Sequence, residues 1–417
     1  MPAPPASSTV LSFEDACRVI EEQAALTRAG ALAGSTESVD LLWAADRVLA
    51  EPVSADRDLP PFPRSTRDGY AVRSADLVRL PATLDVIAEI KAGEMPDKIP
   101  INIGSGQAAS IMTGAPVPAG ADAVVMVEYT SQRGHRVEIT RGVSAGENIV
   151  PRGAEARAGA LLLERGLRLD ASAIALAASV GKSRLQVQKR PLVAVLTTGD
   201  EIVGVDATPG PTQIRNSNSY SLAAQIGRAG GEPVLLPIAP DELQGLRRLI
   251  EEGLQSDLLL MTGGVSMGRY DLVEQALSEL HSEFFFTGAK IQPGRPVVFG
   301  KCGDTYFFGL PGNPVSTMVT FELFARPMLE ALSGQSPRRR TFLHARLKKE
   351  IRVKTGLKRF LPAILTGEFE DAQVELVPWQ GSGDIAAIAR ANCYIVVSAD
   401  RERLSAGEWV AVMKGDV

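Results

Sequence analysis

Aromatic residues make up only 5% of the 417 positions, which weighs against a surface built to stack the bases of single-stranded nucleic acid. Cysteine is scarcer still. Cys17, Cys302 and Cys393 stand far apart with no C-x-x-C pair, so neither a disulfide framework nor a zinc site is indicated, and an odd, sparse count suits a reducing compartment. His135, His281 and His344 are isolated from one another, which argues against imidazole catalysis or a histidine metal cluster. No stretch approaches 18 uninterrupted apolar residues, as a transmembrane helix would require. The opening MPAPPASSTV has no basic region followed by an apolar run, so no secretory signal is read there. Nor is there a surplus of positive charge. The 44 Lys and Arg against 49 Asp and Glu leave a net −5, which speaks against a generic partner of DNA or anionic membranes. The expectation is a cytoplasmic protein with neither a nucleic-acid nor a membrane partner.

What remains is the ordinary mixture of a folded protein, 45% hydrophobic and 22% charged. At about 150 residues per domain the length corresponds to nearly three domains. Ser12-Phe-Glu-Asp15 reads as a capping box opening a helix through Val19, Ile20 and Ala24. A second helical stretch is expected over Val39 to Ala50, and an extended one over the proline-punctuated Pro52 to Pro63. From 70 to 150 the pattern becomes short apolar runs (Leu84–Ile90, Ala108–Met112, Ala123–Val127, Val137–Thr140) separated by Gly/Pro turns, which predicts a β-domain inserted between helical pieces. Ala154 to Gly181 is helix-compatible again.

Residues 190–335 alternate differently. The runs Leu192–Leu196, Val234–Ile238, Leu258–Met261 and Tyr306–Leu310 are short enough for buried parallel strands, with helical periods near 217–229, 241–253, 271–280 and 315–332. That alternation predicts an open, mostly parallel α/β sheet. Beyond the turn-rich Ser333–Pro337, short strands return. The fold expected is therefore a multidomain α/β protein. It has a split helical domain (1–55 and 143–185), a β-rich insert (56–142), a central mostly parallel α/β domain (186–336) and a small C-terminal β-barrel (337–417).

The chemistry collects at three glycine-rich turns that follow predicted strands: Thr197-Thr-Gly-Asp-Glu201, Thr262-Gly-Gly-Val-Ser-Met-Gly268 and Leu310-Pro-Gly-Asn-Pro314. In open parallel sheets ligands bind beyond the carboxyl ends of the strands, so the three turns should share one crevice. Their glycines admit close backbone approach, and N–H groups at the following helix starts favour anions. The first turn carries Asp200-Glu201, and the second leads to Asp271, which reads equally as a helix cap. Carboxylates beside a phosphate cradle call for a cation, and Mg²⁺ bridging carboxylate and phosphate oxygens answers that need. Asn216-Ser-Asn218 reads as a helix cap or as a hydrogen-bonding pair for a ribose or heterocycle. Gln292-Pro-Gly-Arg-Pro296 holds Arg295 between two prolines, a rigid donor suited to an oxyanion. Between Arg338 and Arg359 ten Lys and Arg face one acidic residue, Glu350. That run is either a solvated basic face or a wall for an anionic substrate.

Taken jointly, Pro60–Val72, Ile111–Gly120, the three glycine turns, Gln292–Pro296, Phe308–Ser316, Gln380-Gly-Ser382 and Ala391-Asn-Cys resemble the MoeA family of molybdopterin molybdenumtransferases, which also forms the E domain of gephyrin-type proteins. Related molybdopterin adenylyltransferases share the α/β domain with its Gly-Gly and Pro-Gly-Asn-Pro turns. Asp68-Gly-Tyr-Ala-Val72 and Met112-Thr-Gly-Ala-Pro-Val-Pro118 separate the two groups. The resemblance implies an enzyme of molybdenum cofactor biosynthesis, a transferase. It would insert molybdate into adenylylated molybdopterin with Mg²⁺-dependent release of AMP.

It also implies the site residues. Asp68, Glu201 and Asp271 would be catalytic, with Glu201 and Asp271 on the metal. Thr113, Thr198, Gly199, Asn218, Gly263, Gly264, Ser266, Pro311, Gly312, Asn313 and Pro314 would bind the pterin adenylate. Arg295, Ser316, Arg359 and Ser382 would contact molybdate. A homodimer whose chains share the site is implied, with a transient contact to molybdopterin adenylyltransferase. Adenylylation of molybdopterin, or a non-catalytic pterin-binding dimeric scaffold, are the alternative readings. The sequence departs from the family at three places. Phe62-Pro-Arg-Ser65 stands for a frequent Phe-Asp-Asn-Ser, Arg152-Gly-Ala-Glu155 for Arg-Gly-Glu-Asp, and Gln292-Pro-Gly-Arg-Pro296 for Lys-Pro-Gly-Lys-Pro. Lys290, two positions upstream of Gln292, is a candidate to replace the missing cation.

Overall fold

A computed structural model describes residues 9–31, 34–94, 101–263, 272–337 and 340–414. They form two compact units, Met1–Ala50 with Gly166–Leu169 and Leu185–Val417, and Glu51–Arg165 with Asp170–Arg184.

The first unit is organised by a six-stranded sheet in the order Glu232–Leu235, Leu192–Thr197, Leu258–Thr262, Thr305–Leu310, Val298–Cys302 and Glu283–Phe286. Its first four strands are parallel, and the last two run antiparallel to their neighbours in turn. Side chains alternate between two cores, as the strand period of two requires. Val193, Val195, Leu258, Leu260, Phe308 and Leu310 enter one. Ala194, Leu196, Leu259, Met261 and Phe307 enter the other. A sheet buried on both faces explains why its strands read as unbroken apolar runs.

The capping box at Ser12 is present: the Asp15 amide donates to Ser12 Oγ at 3.0 Å, and Ser12 Oγ donates to the Asp15 carboxylate at 2.6 Å. The helix it opens, Phe13–Ala31, buries Phe13, Ala16, Ile20 and Ala24 in the first of those cores. Phe13 also lies 5.3 Å, ring to ring, from Phe360 of the C-terminal region. There the strands Lys358–Thr366, Gln373–Leu376, Phe342–Leu347, Trp409–Lys414 and Cys393–Val397 close on themselves into the expected small barrel. A two-residue strand, Ile291–Gln292, adds parallel to the start of Lys358–Thr366.

Three helical expectations change here. Val39 to Ala50 is not helical. It comprises the strand Thr36–Asp40, a 3₁₀ turn at Leu41–Trp43 and single bridges from Val48 to Arg168 and Leu49 to Val187. Leu49 is wholly buried by that pairing while Leu42 and Trp43 stay exposed, so tertiary contacts override helix propensity. The helix expected over 315–332 is in fact Pro314–Thr320 and Arg326–Leu332 joined by a π turn, Phe321–Ala325. Within Ala154 to Gly181 the helix is confined to Ala171–Ser179, capped by Asp170, whose carboxylate accepts from the Ala173 amide at 2.9 Å.

The second unit holds a mixed six-stranded sheet in the order Ala123–Met126, Gly69–Val72, Gln107–Ile111, Ala82–Ile90, Arg136–Ile139 and Thr130–Arg133. Tyr70 and Val72 pack on one face and Ala71 on the other, again at period two. No helix among the described residues is long and apolar enough to cross a membrane.

Candidate active site

The three glycine turns of the α/β sheet converge at the carboxyl ends of adjacent strands. The register pairs Thr197 with Thr262, and Thr262 with Leu310, so Thr198, Gly263 and Pro311 leave the sheet side by side. Gly263 has φ +87° and lies so close to the first turn that a Cβ would run into the Thr198 carbonyl. Gly312 lies against Gly263, with 3.5 Å between its Cβ position and the Gly263 Cα. Asn218, buried at the start of the helix Asn218–Arg228, ties two of the turns together. Its Nδ2 donates to Thr262 Oγ1 at 3.0 Å and to the Gly312 carbonyl at 2.8 Å. The helix-cap alternative falls to Asn216 instead, whose Oδ1 accepts from the Ser219 amide at 3.1 Å. Two buried atoms in this cluster, Thr198 Oγ1 and Asn218 Oδ1, have no protein partner.

Glu201 is exposed, and its carboxylate occupies the space beside Gly199 that a side chain would fill. Asp200 is engaged elsewhere, in an exchange of backbone-to-carboxylate bonds with Asp241 at 3.2 and 3.4 Å. Gly264, Ser266 and Asp271 lie outside the described residues. Among those described, no three His, Cys, Asp or Glu side chains form a metal-binding group.

A second cluster adjoins the Pro-Gly-Asn-Pro turn. Asn313 Nδ2 donates to Ser382 Oγ at 2.9 Å, and the Val315 amide donates to the Ser382 carbonyl at 3.0 Å. The turn of the α/β sheet is thereby joined to the loop at Gln380–Ser382. Pro314 opens the helix that carries Ser316, which is buried. Gly294, with φ +101°, packs onto Thr320 of the same helix without room for a Cβ, and this seats the loop that presents the exposed Arg295.

Arg359 is buried, 6% exposed. Its Nε donates to Gln292 Oε1 at 2.9 Å and its Nη1 to the Leu357 carbonyl at 3.0 Å. Burial pulls the guanidinium below its usual pKa; arginine is not deprotonated in proteins, so it stays a cation. Part of the surrounding basic run is paired with carboxylates. Lys348 pairs with Glu375, Lys358 with Glu14, and Arg352 and Arg403 with Glu350. Arg359 differs from these in being buried with no carboxylate beside it among the described residues. Lys290 is exposed.

In the second unit, antiparallel pairing sets Gly69 opposite Ile111 and thus brings together the residues just beyond each strand. Asp68 Oδ1 accepts from the Thr113 amide at 2.6 Å and from Thr113 Oγ1 at 2.8 Å. These two donors, the backbone one foremost, hold the Asp68 carboxyl below its ordinary range. Gly69 is required there, because a Cβ would collide with the Val125 carbonyl. Two of the three departures from the family motifs meet in this unit: Arg64 lies 2.7 Å from Glu155, while Arg152 lies 2.8 Å from Asp58.

The Thr262 hydroxyl and Asp241 were not singled out by the sequence. Thr262 sits in the motif as an ordinary strand end, and nothing local marks Asp241 as the partner of Asp200.

Comparison with known proteins covers nearly all of this framework. Family models match residues 11–181 as the MoeA N-terminal region (domain I and II), 194–331 as a probable molybdopterin binding domain and 344–414 as the MoeA C-terminal region (domain IV). A molybdopterin molybdenumtransferase from Nostoc sp. is 35% identical, covering 91% of this chain and 88% of its own length. One from Bacillus subtilis is 33% identical over 91% and 90%. Two solved structures of molybdopterin biosynthesis MoeA proteins from Pyrococcus horikoshii also align. One has a TM-score of 0.68 at 31% identity, with 97% of this chain and 99% of that chain covered. The other has a TM-score of 0.76 at 26% identity, covering 97% and 100%. With its motifs, its strand-end turns and its barrel all accounted for in this way, the chain belongs to the MoeA family.

Proposed function

We propose that the protein is a molybdopterin molybdenumtransferase of molybdenum cofactor biosynthesis. It inserts molybdate into the dithiolene of adenylylated molybdopterin, with hydrolysis of the pyrophosphate-like link, and releases AMP and Mo-molybdopterin. The observation that carries this reading is the adjacency of two clusters in one unit. One is a backbone cradle at Thr198, Gly263 and Gly312; the other is a buried cation, Arg359, whose partner Gln292 lies on the loop that Gly294 seats against Thr320, on the helix Pro314–Thr320 that leaves the last glycine turn. A nucleotide-like phosphate and a tetrahedral oxyanion need those two environments next to each other.

In this reading Thr198, Gly199, Asn218, Gly263, Gly264, Ser266 and the 311–314 turn hold the pterin adenylate, and the glycines let the backbone approach its phosphates. Arg359 and Arg295 supply charge to molybdate, with Ser316 and Ser382 beside them. Asp68, kept ionised by Thr113, is a fixed carboxylate. Glu201 offers exposed, hard oxygen donors of the kind Mg²⁺ accepts, since that ion keeps several waters and takes one or two carboxylates plus substrate phosphates. Glu201 with Asp271 would hold it, and when bound it would offset charge on the phosphate oxygens of the link. A homodimer, a cytoplasmic location and a transient encounter with molybdopterin adenylyltransferase belong to the same proposal.

The test is direct. Purified protein with adenylylated molybdopterin, molybdate and Mg²⁺ should release AMP, and chelation of Mg²⁺ should stop it. Absence of AMP with verified substrate overturns the assignment, as does ATP consumption with unadenylylated molybdopterin. Asp271→Ala should abolish release while leaving the fold intact.

A further inference from the structure

Gln292 and Arg359 are register partners on the short parallel ladder between Ile291–Gln292 and Lys358–Thr366. The two sites differ sharply in environment: Arg359 is buried, whereas Gln292 is exposed. Arg359 is held by two neutral acceptors, Gln292 Oε1 and the Leu357 carbonyl. Among the described residues no carboxylate pairs with it, in contrast to Arg352, Arg403, Lys348 and Lys358 around it. A guanidinium carries five N–H donors, so two are committed and the others remain for a ligand. A buried cation left without a counter-ion is costly unless its hydrogen bonds are met and an anion arrives.

The nature of residue 292 decides what that anion encounters. A glutamate would pair with the guanidinium and cancel its charge. A lysine would place a second cation beside it and offer no acceptor for Nε. Glutamine supplies the acceptor without any charge, so Arg359 is oriented while its full positive charge stays available. The segment bearing Gln292 is itself held in place, since Gly294 seats on Thr320 and the Ala289 and Val297 amides both donate to the Arg295 carbonyl at 3.0 Å.

We propose that Gln292 is a positioning residue for the oxyanion, one that fixes the Arg359 guanidinium through a neutral hydrogen bond and thereby sets the affinity for molybdate. This rests on the molybdenumtransferase reading and adds to it the residue through which Arg359 acts.

Steady-state AMP release is measured with molybdate varied at saturating adenylylated molybdopterin, and then with the two roles exchanged. Gln292→Met keeps the side-chain length and removes the acceptor. It should raise the KM for molybdate about tenfold, the loss of one hydrogen bond to a charged group, with kcat within about twofold of wild type. The KM for adenylylated molybdopterin should not change, and the Tm should fall by no more than a few degrees, since a single part-buried hydrogen bond is lost. Gln292→Glu, which restores an acceptor but neutralises Arg359, should raise the molybdate KM at least as far. A molybdate KM for Gln292→Met within twofold of wild type overturns the proposal. So does an equal rise in the KM of both substrates, or a Gln292→Glu enzyme that binds molybdate more tightly than wild type. Should the wild-type protein release no AMP, the functional reading fails, and calorimetric binding of molybdate alone to wild type and Gln292→Met still tests the positioning role. Wild-type binding weakened about tenfold in the variant supports it, and equal or absent binding refutes it.

Discussion

The side-chain Nδ2 of Asn313 donates to the hydroxyl of Ser382 at 2.9 Å across 69 positions of sequence. This bond joins the last glycine turn of the α/β sheet to a loop of the C-terminal region, and the Val315 amide reinforces it by donating to the Ser382 carbonyl. Ser382→Ala removes the side-chain bond and leaves the backbone one. The contact is partly exposed, so stability should fall by no more than ~1 kcal/mol. Activity should suffer more than stability. A loop that drifts from the turn loosens the geometry of both substrates, so kcat/KM should fall roughly tenfold while thermal unfolding moves by a few degrees at most. A loss of activity that merely tracks the loss of stability contradicts this.

Asp68 and Thr113 give a prediction about pH. The two Thr113 donors depress the Asp68 pKa, so its ionised form is favoured in the folded state. Stability from this pair is therefore complete above the unfolded carboxyl range, about pH 4, and is lost as pH falls through the depressed folded value. Activity that depends on the Asp68 carboxylate should be flat through neutral pH, with its acid limb below about pH 4. Thr113→Val deletes the hydroxyl donor and retains the amide. The acid limb should then move upward toward the ordinary aspartate value, which a pH–rate profile of AMP release would reveal.

How much of this was legible beforehand depended on where the information lies. The parallel strands were readable because both faces are buried, which makes Leu192–Thr197 and Leu258–Thr262 continuous apolar runs. The antiparallel pair Val298–Cys302 and Glu283–Phe286 was not. Gly300 interrupts the first of these, and it is needed because a side chain there would strike the Phe307 ring and the Glu283 carbonyl. Val39 to Ala50 was misread since its helix-forming residues are recruited into pairings with Arg168 and Val187, far along the chain. The glycine turns announced themselves locally. The bonds from Asn218 to Gly312 and from Arg359 to Gln292 span 94 and 67 positions, and no local pattern encodes such a choice of partner.

The pairing of Arg64 with Glu155 makes two departures from the family motifs mutually dependent. Their side chains are 34% and 53% exposed, so solvent screens the attraction and the pair should contribute only ~0.2–1 kcal/mol. Arg64→Ala and Glu155→Ala should each be mildly destabilising, and the double variant less so than their sum. A double-mutant cycle in urea at low and high salt tests this, with the coupling shrinking as salt rises. A coupling energy of zero at low salt contradicts this.

Gly263 and Gly312 lie against one another, yet their tolerance of a methyl group should differ. Gly263 adopts φ +87°, where an L side chain costs roughly 1–2 kcal/mol, and its Cβ would also meet the Thr198 carbonyl. Gly263→Ala must therefore strain the backbone and push the first two turns apart. It should destabilise the unit by at least ~2 kcal/mol and abolish AMP release. Gly312 has no such constraint: its Cβ position is 3.5 Å from the Gly263 Cα, an ordinary van der Waals separation. Gly312→Ala should leave stability within about 0.5 kcal/mol of wild type. If the backbone at this turn lies against substrate, the added methyl still intrudes on it, raising the KM for adenylylated molybdopterin while the KM for molybdate stays put. Thermal unfolding and the two KM values of these variants distinguish a glycine that the fold requires from one that the ligand requires. A Gly312→Ala enzyme with both KM values unchanged would remove that turn from the pterin adenylate site.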